Sequence, residues 1–266
     1  AGRARARQVS YVTRLRFGYL GSGSRGNAAI IQSGSTTVML DCGFSAAEAG
    51  RRLGRLGIGG SDITALVVTH EHGDHISGVA RFARRYGVPV WMTAGTARAA
   101  PDLDVPELHY FSCHDALEIG ELLLEPAPVP HDAREPCQFV FSDGRKRLGI
   151  LTDLGHVSRH VARTFSGCDA LVLECNHDPE LLERGPYPAS VKARVGGDLG
   201  HLNNAQAAGL VAAADVSRLS HLVAVHVSET NNRADLAQRA LAAAAGADLP
   251  DIAVAGQNEG LDWRTV

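Results

Sequence analysis

Lysine is nearly missing from this sequence. It occurs twice, at Lys146 and Lys192, among 26 basic residues. The rest are arginine, a bias that genome composition explains without a function. The net charge of −3 argues against a chain that binds nucleic acid as a bulk polycation, so any such surface must be local. Cysteine is scarce: Cys42, Cys113, Cys137, Cys168 and Cys175 are odd in number and form no Cys-x-x-Cys pair. This argues against a disulfide framework or a thiolate metal site, and for reduced thiols in a cytoplasmic protein. No window of 18 apolar residues exists, so no membrane helix is expected. Arg3, Arg5, Arg7, Arg14 and Arg16 precede no apolar signal-peptide core. We read 1–16 as a basic tail and 17–266 as one domain. A chain of 266 residues with 45% apolar content suits a single large α/β unit.

What is present is a series of short apolar runs. RFGYL, AAIIQS and TTVMLDCG read as strands in quick succession. SAAEAGRRLGRLGI reads as a helix capped by Ser45. ALVVTH, VPVWMT, LEIGELLLEPAPVPH, QFVFSD, RLGILTD, ALVLEC and HLVAVHVS follow as strands, with DIAVAGQNEG as the last. GVARFARRYG, NNAQAAGLVAAAD and RADLAQRALAAAAG read as helices. Strands cluster before the first helix and then recur in mixed order. That predicts two mixed sheets packed face to face between helices, better than a regular βα alternation.

Polar groups stand just past the ends of the apolar runs: His70, His131, Asp153, Glu174 and His226. Strands deliver their ends to a shared rim, so these residues can converge on one cleft. The densest block is THEHGDH, with His70, Glu71, His72, Asp74 and His75 in six positions. His70 and His72 are two apart in a segment leaving a strand and share a side. Asp74 and His75 turn into a helix expected to begin near Ile76 and can address a second ion. Glu71 is expected to point away. Several neutral imidazoles around two ions need an anionic bridge, and Asp153 in LTDLG is the candidate. The resulting assignment is His70, His72, His131 and Asp153 for one metal, and Asp74, His75, Asp153 and His226 for the other. A bridging water or hydroxide would fill the gap. All-nitrogen and oxygen ligation suits Zn2+ or Mn2+.

At this point the residues resemble a known pattern. THEHGDH, PHDA, LTDLG and AVHVS are similar to the signature series of the metallo-β-lactamase-fold hydrolases, an αββα sandwich that hosts several chemistries. LGSGSRGNA, CNHD, YPASVKARV, GHLNN and HVSETNN resemble the YycJ/WalJ branch, from about Phe17 to Asn232. HVSETNN departs from that branch where Leu and Lys or Arg are expected, as does the Arg-rich N-terminal extension. Neither departure removes a ligand. The resemblance implies a bacterial nuclease with 5′→3′ exonuclease activity on double-stranded DNA.

Paired ions can generate a nucleophile near neutral pH, with the pKa of water lowered towards about 7. Asp74 is placed to orient that nucleophile or accept its proton. A phosphodiester also needs a proton for its poor alkoxide leaving group, worth about 10²–10⁴ in rate. His201 in GHLNN fits that role, with Gly200 allowing close backbone approach and the Asn pair turning into a helix. Glu174 would orient it; ribonuclease Z carries a similar Glu–His pair. Asp41 in MLDCG is expected to hydrogen-bond a ligand histidine. Ser22, Ser24 and Asn27 in the Gly-rich loop, together with His177, Lys192 and Arg194, are candidate phosphate contacts. A turn-closing His177 and a solvated basic face are the alternatives. The short stretch between Asp153 and His226 leaves no room for a β-CASP domain, and no thioesterase substrate domain follows. A nuclease leads. A small-molecule or cyclic phosphodiesterase, a ribonuclease and a non-catalytic signalling protein stay open, as do monomer and homodimer.

Overall fold

The computed structural model describes residues 14–246 and 252–266. The tail expected at Arg3, Arg5 and Arg7 lies outside them. Leu15 is buried and the first strand opens at Arg16.

Two seven-stranded sheets face each other. The strands are β1 (Arg16–Gly21), β2 (Ala28–Ser33), β3 (Thr36–Leu40), β4 (Ala65–Val67), β5 (Val90–Thr93), β6 (Leu108–Phe111), β7 (Leu117–Ile119), β8 (Leu122–Pro128), β9 (Cys137–Ser142), β10 (Arg147–Leu151), β11 (Ala170–Glu174), β12 (His221–Val225), β13 (Ile252–Val254) and β14 (Leu261–Thr265). The first sheet runs β14-β1-β2-β3-β4-β5-β6 and the second β13-β12-β11-β10-β9-β8-β7. The helices are α1 (Ala46–Arg55), α2 (Gly73–Ile76), α3 (Val79–Tyr86), α4 (Ala94–Ala99), α5 (Arg159–Thr164), α6 (Pro179–Arg184), α7 (Ala189–Val195), α8 (Asn204–Ala213) and α9 (Ala234–Ala245). None is long and apolar enough to cross a membrane. The five cysteines are buried and free.

Alternation along the strands builds three apolar layers. In β11, Ala170 and Val172 face the inter-sheet core with Phe17, Phe139 and Phe141. Leu171 and Leu173 face the outer layer with Leu210 and Leu241 from α8 and α9. A matching layer packs α1 and α3 on the first sheet through Leu53 and Phe82. Each fully buried side chain of this size contributes about 1.5–3 kcal/mol. The result is the αββα sandwich expected.

Three readings need correction. LEIGELLLEPAPVPH is a hairpin, β7 and β8, turned at Gly120, whose φ of +56° suits glycine. DIAVAGQNEG is not the last strand, because β14 follows and pairs antiparallel with β1. The helix expected near Ile76 is two: α2 starts at Gly73 with His72 as its N-cap, and α3 starts at Val79.

Candidate metal and acid–base centre

β10, β11 and β12 are adjacent and parallel, so their carboxyl ends share one rim. Ligand sites in parallel sheets lie outside such ends. Asp153 follows β10, Glu174 ends β11 and His226 follows β12. Across the sandwich, Asp41 follows β3 and His70 follows β4. Asp41, Asp153 and His226 have positive φ, at 61°, 55° and 52°. No other non-glycine described residue does. This left-handed backbone costs on the order of 1 kcal/mol or more per residue and clusters at functional sites. At each strand end it turns the side chain off the alternating pattern and into the cleft.

The seven proposed ligands come together. His70, His72 and His131 offer nitrogens that lie within 4.8 Å of one another, as do the ligand atoms of His70, His75 and Asp153, and of Asp74, His75 and His226. Asp153 stands between the halves. Its Oδ2 is 3.3 Å from His75 Nε2 and its Oδ1 is 3.7 Å from His226 Nε2. His70 Nε2 is buried with no hydrogen-bond partner, a state that costs about 1–3 kcal/mol unless something binds there. An orphaned imidazole nitrogen amid carboxylates fits a divalent metal with nitrogen and oxygen ligands.

A rigid outer shell aims these groups. Asp41 Oδ2 accepts from His75 Nδ1 and from the Thr69 hydroxyl, both at 2.8 Å, and its Oδ1 accepts from Thr69 N at 2.8 Å. Thr69 Oγ1 in turn sits 2.9 Å from His70 Nδ1. One carboxylate therefore fixes His75 directly and His70 through a hydroxyl, leaving Nε2 of each towards the cleft. His131 Nδ1 donates to the Gly200 carbonyl at 3.0 Å.

Burial and charge compete throughout the cluster. Burial, reinforced by the neighbouring imidazoles and above all His75, pushes His70 well below the usual imidazole range against the pull of Asp153. It opposes a proton on His75 and His226 too, but the surrounding carboxylates, Asp153 foremost, together outweigh it at both. Asp41 reinforces that effect at His75, and Asp74 with Glu174 at His226. Both imidazoles rise, His226 to about 10. Asp74 and Asp153 are pushed down against burial, chiefly by hydrogen bonds from His226 and His75 at Asp74 and by the charges of His226 and His75 at Asp153.

Glu174 is fully buried and makes four contacts. Oε1 lies 2.8 Å from His201 Nδ1 and 3.2 Å from His226 Nδ1. Oε2 accepts from Leu202 N at 2.9 Å and from Leu154 N at 3.3 Å. Burial would raise its pKa, yet His201 and His226 hold it at about 2, so it stays ionised. The His201 loop is tied down around it. His201 N donates to Val195 O at 2.9 Å, and Asn203 caps α8 in a capping box with Gln206. A Cβ on Gly200 would lie 2.2 Å from the Arg194 carbonyl, so only glycine fits.

The family model described as the metallo-beta-lactamase superfamily matches residues 21–179. The chain is 36% identical over 230 residues to exodeoxyribonuclease YycJ of Bacillus anthracis, covering 84% of this chain and 86% of that protein. The chain belongs to the metallo-β-lactamase superfamily. Within that superfamily it falls in the YycJ/WalJ-like branch. It is 31% identical over 229 residues to exodeoxyribonuclease WalJ of Streptococcus pneumoniae, with 84% and 85% covered. Among solved structures, the metallo-beta-lactamase fold protein YhfI of Bacillus subtilis superposes with a TM-score of 0.71 at 15% identity, covering 91% of this chain and 97% of that one. At that identity the likeness is one of fold.

The remaining candidate residues of this metallo-β-lactamase domain fall into two groups. Ser22 and Asn27 are buried behind the ligands, which corrects their reading as phosphate donors. Ser22 Oγ accepts from His226 N at 2.9 Å and donates to Asn27 Oδ1 at 3.0 Å. Asn27 Nδ2 reaches Asp74 Oδ2 and His75 Nε2, both at 3.1 Å. Ser24 and Arg194 are exposed, Lys192 is half-buried, and His177 is buried beside α6 and α7. Sequence reasoning missed Thr69, Asn176 and Asp132. Asn176 Nδ2 lies 3.2 Å from His226 Nδ1. Asp132 Oδ2 accepts from Arg194 Nε at 2.6 Å, while its Oδ1 lies 3.6 Å from His72 Nε2. Thr69 and Asp132 flank predicted ligands, and that adjacency was the available signal. Glu71 does turn away: it accepts from Arg134 N at 2.6 Å and so holds the 131–136 loop.

Proposed function

We propose that the chain is a metal-dependent phosphodiester hydrolase acting on nucleic acid, and that it digests double-stranded DNA as a 5′→3′ exonuclease. The observation that carries the phosphodiester reading is the Glu174–His201 pair, 2.8 Å apart, beside the metal-ligating cluster. A thioester or lactam leaving group has less need of such an acid. The nucleic-acid reading is supported by the two exodeoxyribonuclease relatives, matched over most of their length.

Two ions, Mn2+ or Zn2+, would be held by His70, His72, His131 and Asp153, and by Asp74, His75, His226 and Asp153. When bound, paired divalent ions supply a nucleophile near neutral pH and offset the charge on the phosphate oxygens. The chain does the rest. Asp74 is kept anionic by His75 and His226 and orients the attacking water. Glu174 accepts a hydrogen bond from His201 Nδ1–H, which leaves Nε2 as the face that carries a proton to substrate. The water gives up a proton to Asp74 as its oxygen bonds to phosphorus, the ester bond breaks, and the His201 Nε2 proton goes to the departing sugar oxygen.

The test is release of labelled mononucleotide from end-labelled, 5′-phosphorylated duplex DNA with Mn2+, run beside RNA, cyclic nucleotides and 5′-hydroxyl duplex. Faster turnover of duplex DNA than of the other substrates is expected. No release with Mn2+, Mg2+ or Zn2+ overturns the reading, and faster turnover of cyclic nucleotides replaces it with a small-molecule phosphodiesterase.

A further inference from the structure

Next to the His201 loop, α6 and α7 enclose a recess of about 500 Å3. It is lined by residues including His177, Leu182, Glu183, Lys192, Gly196 and Asn203. Sites for small organic ligands span about 300–1,000 Å3, are largely apolar, and carry a few placed polar groups. The recess has that make-up. Leu182 and Gly196 give an apolar wall. His177 is 2% exposed, and its Nδ1 is buried with no hydrogen-bond partner. Burial lowers its pKa, so the ring is neutral and can both donate and accept. Lys192 is half-buried, and its ammonium donates to the Glu183 carbonyl. An ammonium has three protons, so two stay free for a ligand anion.

The recess shares a wall with the acid. Gly196 adjoins Val195, whose carbonyl accepts from His201 N, and Asn203 forms a β-bridge with His177. In an in-line displacement the departing group leaves on the side of the acid that protonates it. On the nuclease reading, on which this inference rests, that group is the terminal nucleotide. With 5′→3′ digestion it departs with a free 3′-hydroxyl and keeps its 5′-phosphate. The exposed Glu183 carboxylate disfavours a ligand that is only an anion.

We propose that this recess receives the departing nucleotide, a deoxynucleoside unit bearing a 5′-phosphate. The base lies against Leu182 and Gly196, His177 hydrogen-bonds its edge, and the phosphate pairs with Lys192. This makes the enzyme read a strand end and explains why it would release single nucleotides.

The test is calorimetric titration of the full-length, metal-loaded protein with thymidine 5′-monophosphate, thymidine and inorganic phosphate, on wild type, Lys192→Ala and Gly196→Ala. The added methyl of Gly196→Ala would lie 3.4 Å from Leu182 Cδ2 and 3.9 Å from His177 Nε2, so it narrows the recess without a backbone clash. Both variants should weaken the nucleotide at least tenfold and leave inorganic phosphate unchanged. Nucleotide affinity equal to that of phosphate, or unchanged in both variants, overturns the proposal. Duplex digestion by the same wild-type sample separates the two ideas. Digestion without these nucleotide effects removes the recess and keeps the nuclease. The nucleotide effects without digestion keep a nucleotide site and remove the nuclease.

Discussion

Glu174→Gln keeps the shape of a side chain that has hydrogen-bond donors on every side. Oε1 faces the His201 and His226 imidazoles, and Oε2 faces the backbone N–H groups of Leu202 and Leu154. A glutamine amide placed either way turns its NH2 towards two of these donors. The variant therefore loses the negative charge and leaves buried donors unpaired. A hydrogen bond to a charged group is worth about 1.5–3 kcal/mol. At about 1.4 kcal/mol per factor of ten, kcat/KM on duplex DNA should fall roughly ten- to a hundredfold. Unpaired donors should also lower stability by about 1–3 kcal/mol. The assay is single-turnover cleavage with bound metal measured on the same sample. A rate within twofold of wild type, with metal retained, refutes the role given to Glu174.

Asp41→Asn should weaken metal binding about 10–100-fold, because its NH2 meets either Thr69 or His75. Asparagine tolerates the φ of 61°, so a competition assay reading no change contradicts the hydrogen-bond argument rather than the backbone. Metal binding should release protons. His226 is raised to about 10, so its stabilising charge is complete below about 6.5, its unfolded value, and is lost as pH rises through about 10. Metal competes with that proton, so apparent affinity should climb with pH across this window, and titrations in buffers of different ionisation enthalpy should show proton release. A pH-independent affinity contradicts it. Gly43→Ala puts a methyl 1.8 Å from the Asp74 carbonyl. Overpacking of that kind costs about 1–3 kcal/mol, so the variant should melt several degrees lower with reduced metal content.

Much of the site was legible because its chemistry is written at strand ends. Asp153, Glu174 and His226 each close a short apolar run, and parallel pairing of β10, β11 and β12 carries them to one edge. HxHxDH is dense enough to stand alone. What escaped depends on distant contacts. The Gly-rich loop looked like a phosphate cradle, but Ser22 pairs with His226 N, more than two hundred residues away, and the loop is consumed holding the ligands. β14 escaped because LDWRT is short and its partner β1 lies at the other end of the chain. α7 buries no residue, so it has no apolar stripe to show. The left-handed backbone at Asp41, Asp153 and His226 has no glycine to announce it.

The role proposed for His201 is to supply the leaving-group proton. Comparing His201→Ala with wild type on two substrates tests it. Duplex DNA leaves as an alkoxide that needs a proton, whereas bis(p-nitrophenyl) phosphate leaves as a stable phenolate that does not. His201→Ala should lose about 10²–10⁴ on DNA and little on the phenyl ester, with bound metal unchanged. An equal loss on both substrates, or none on DNA, contradicts it.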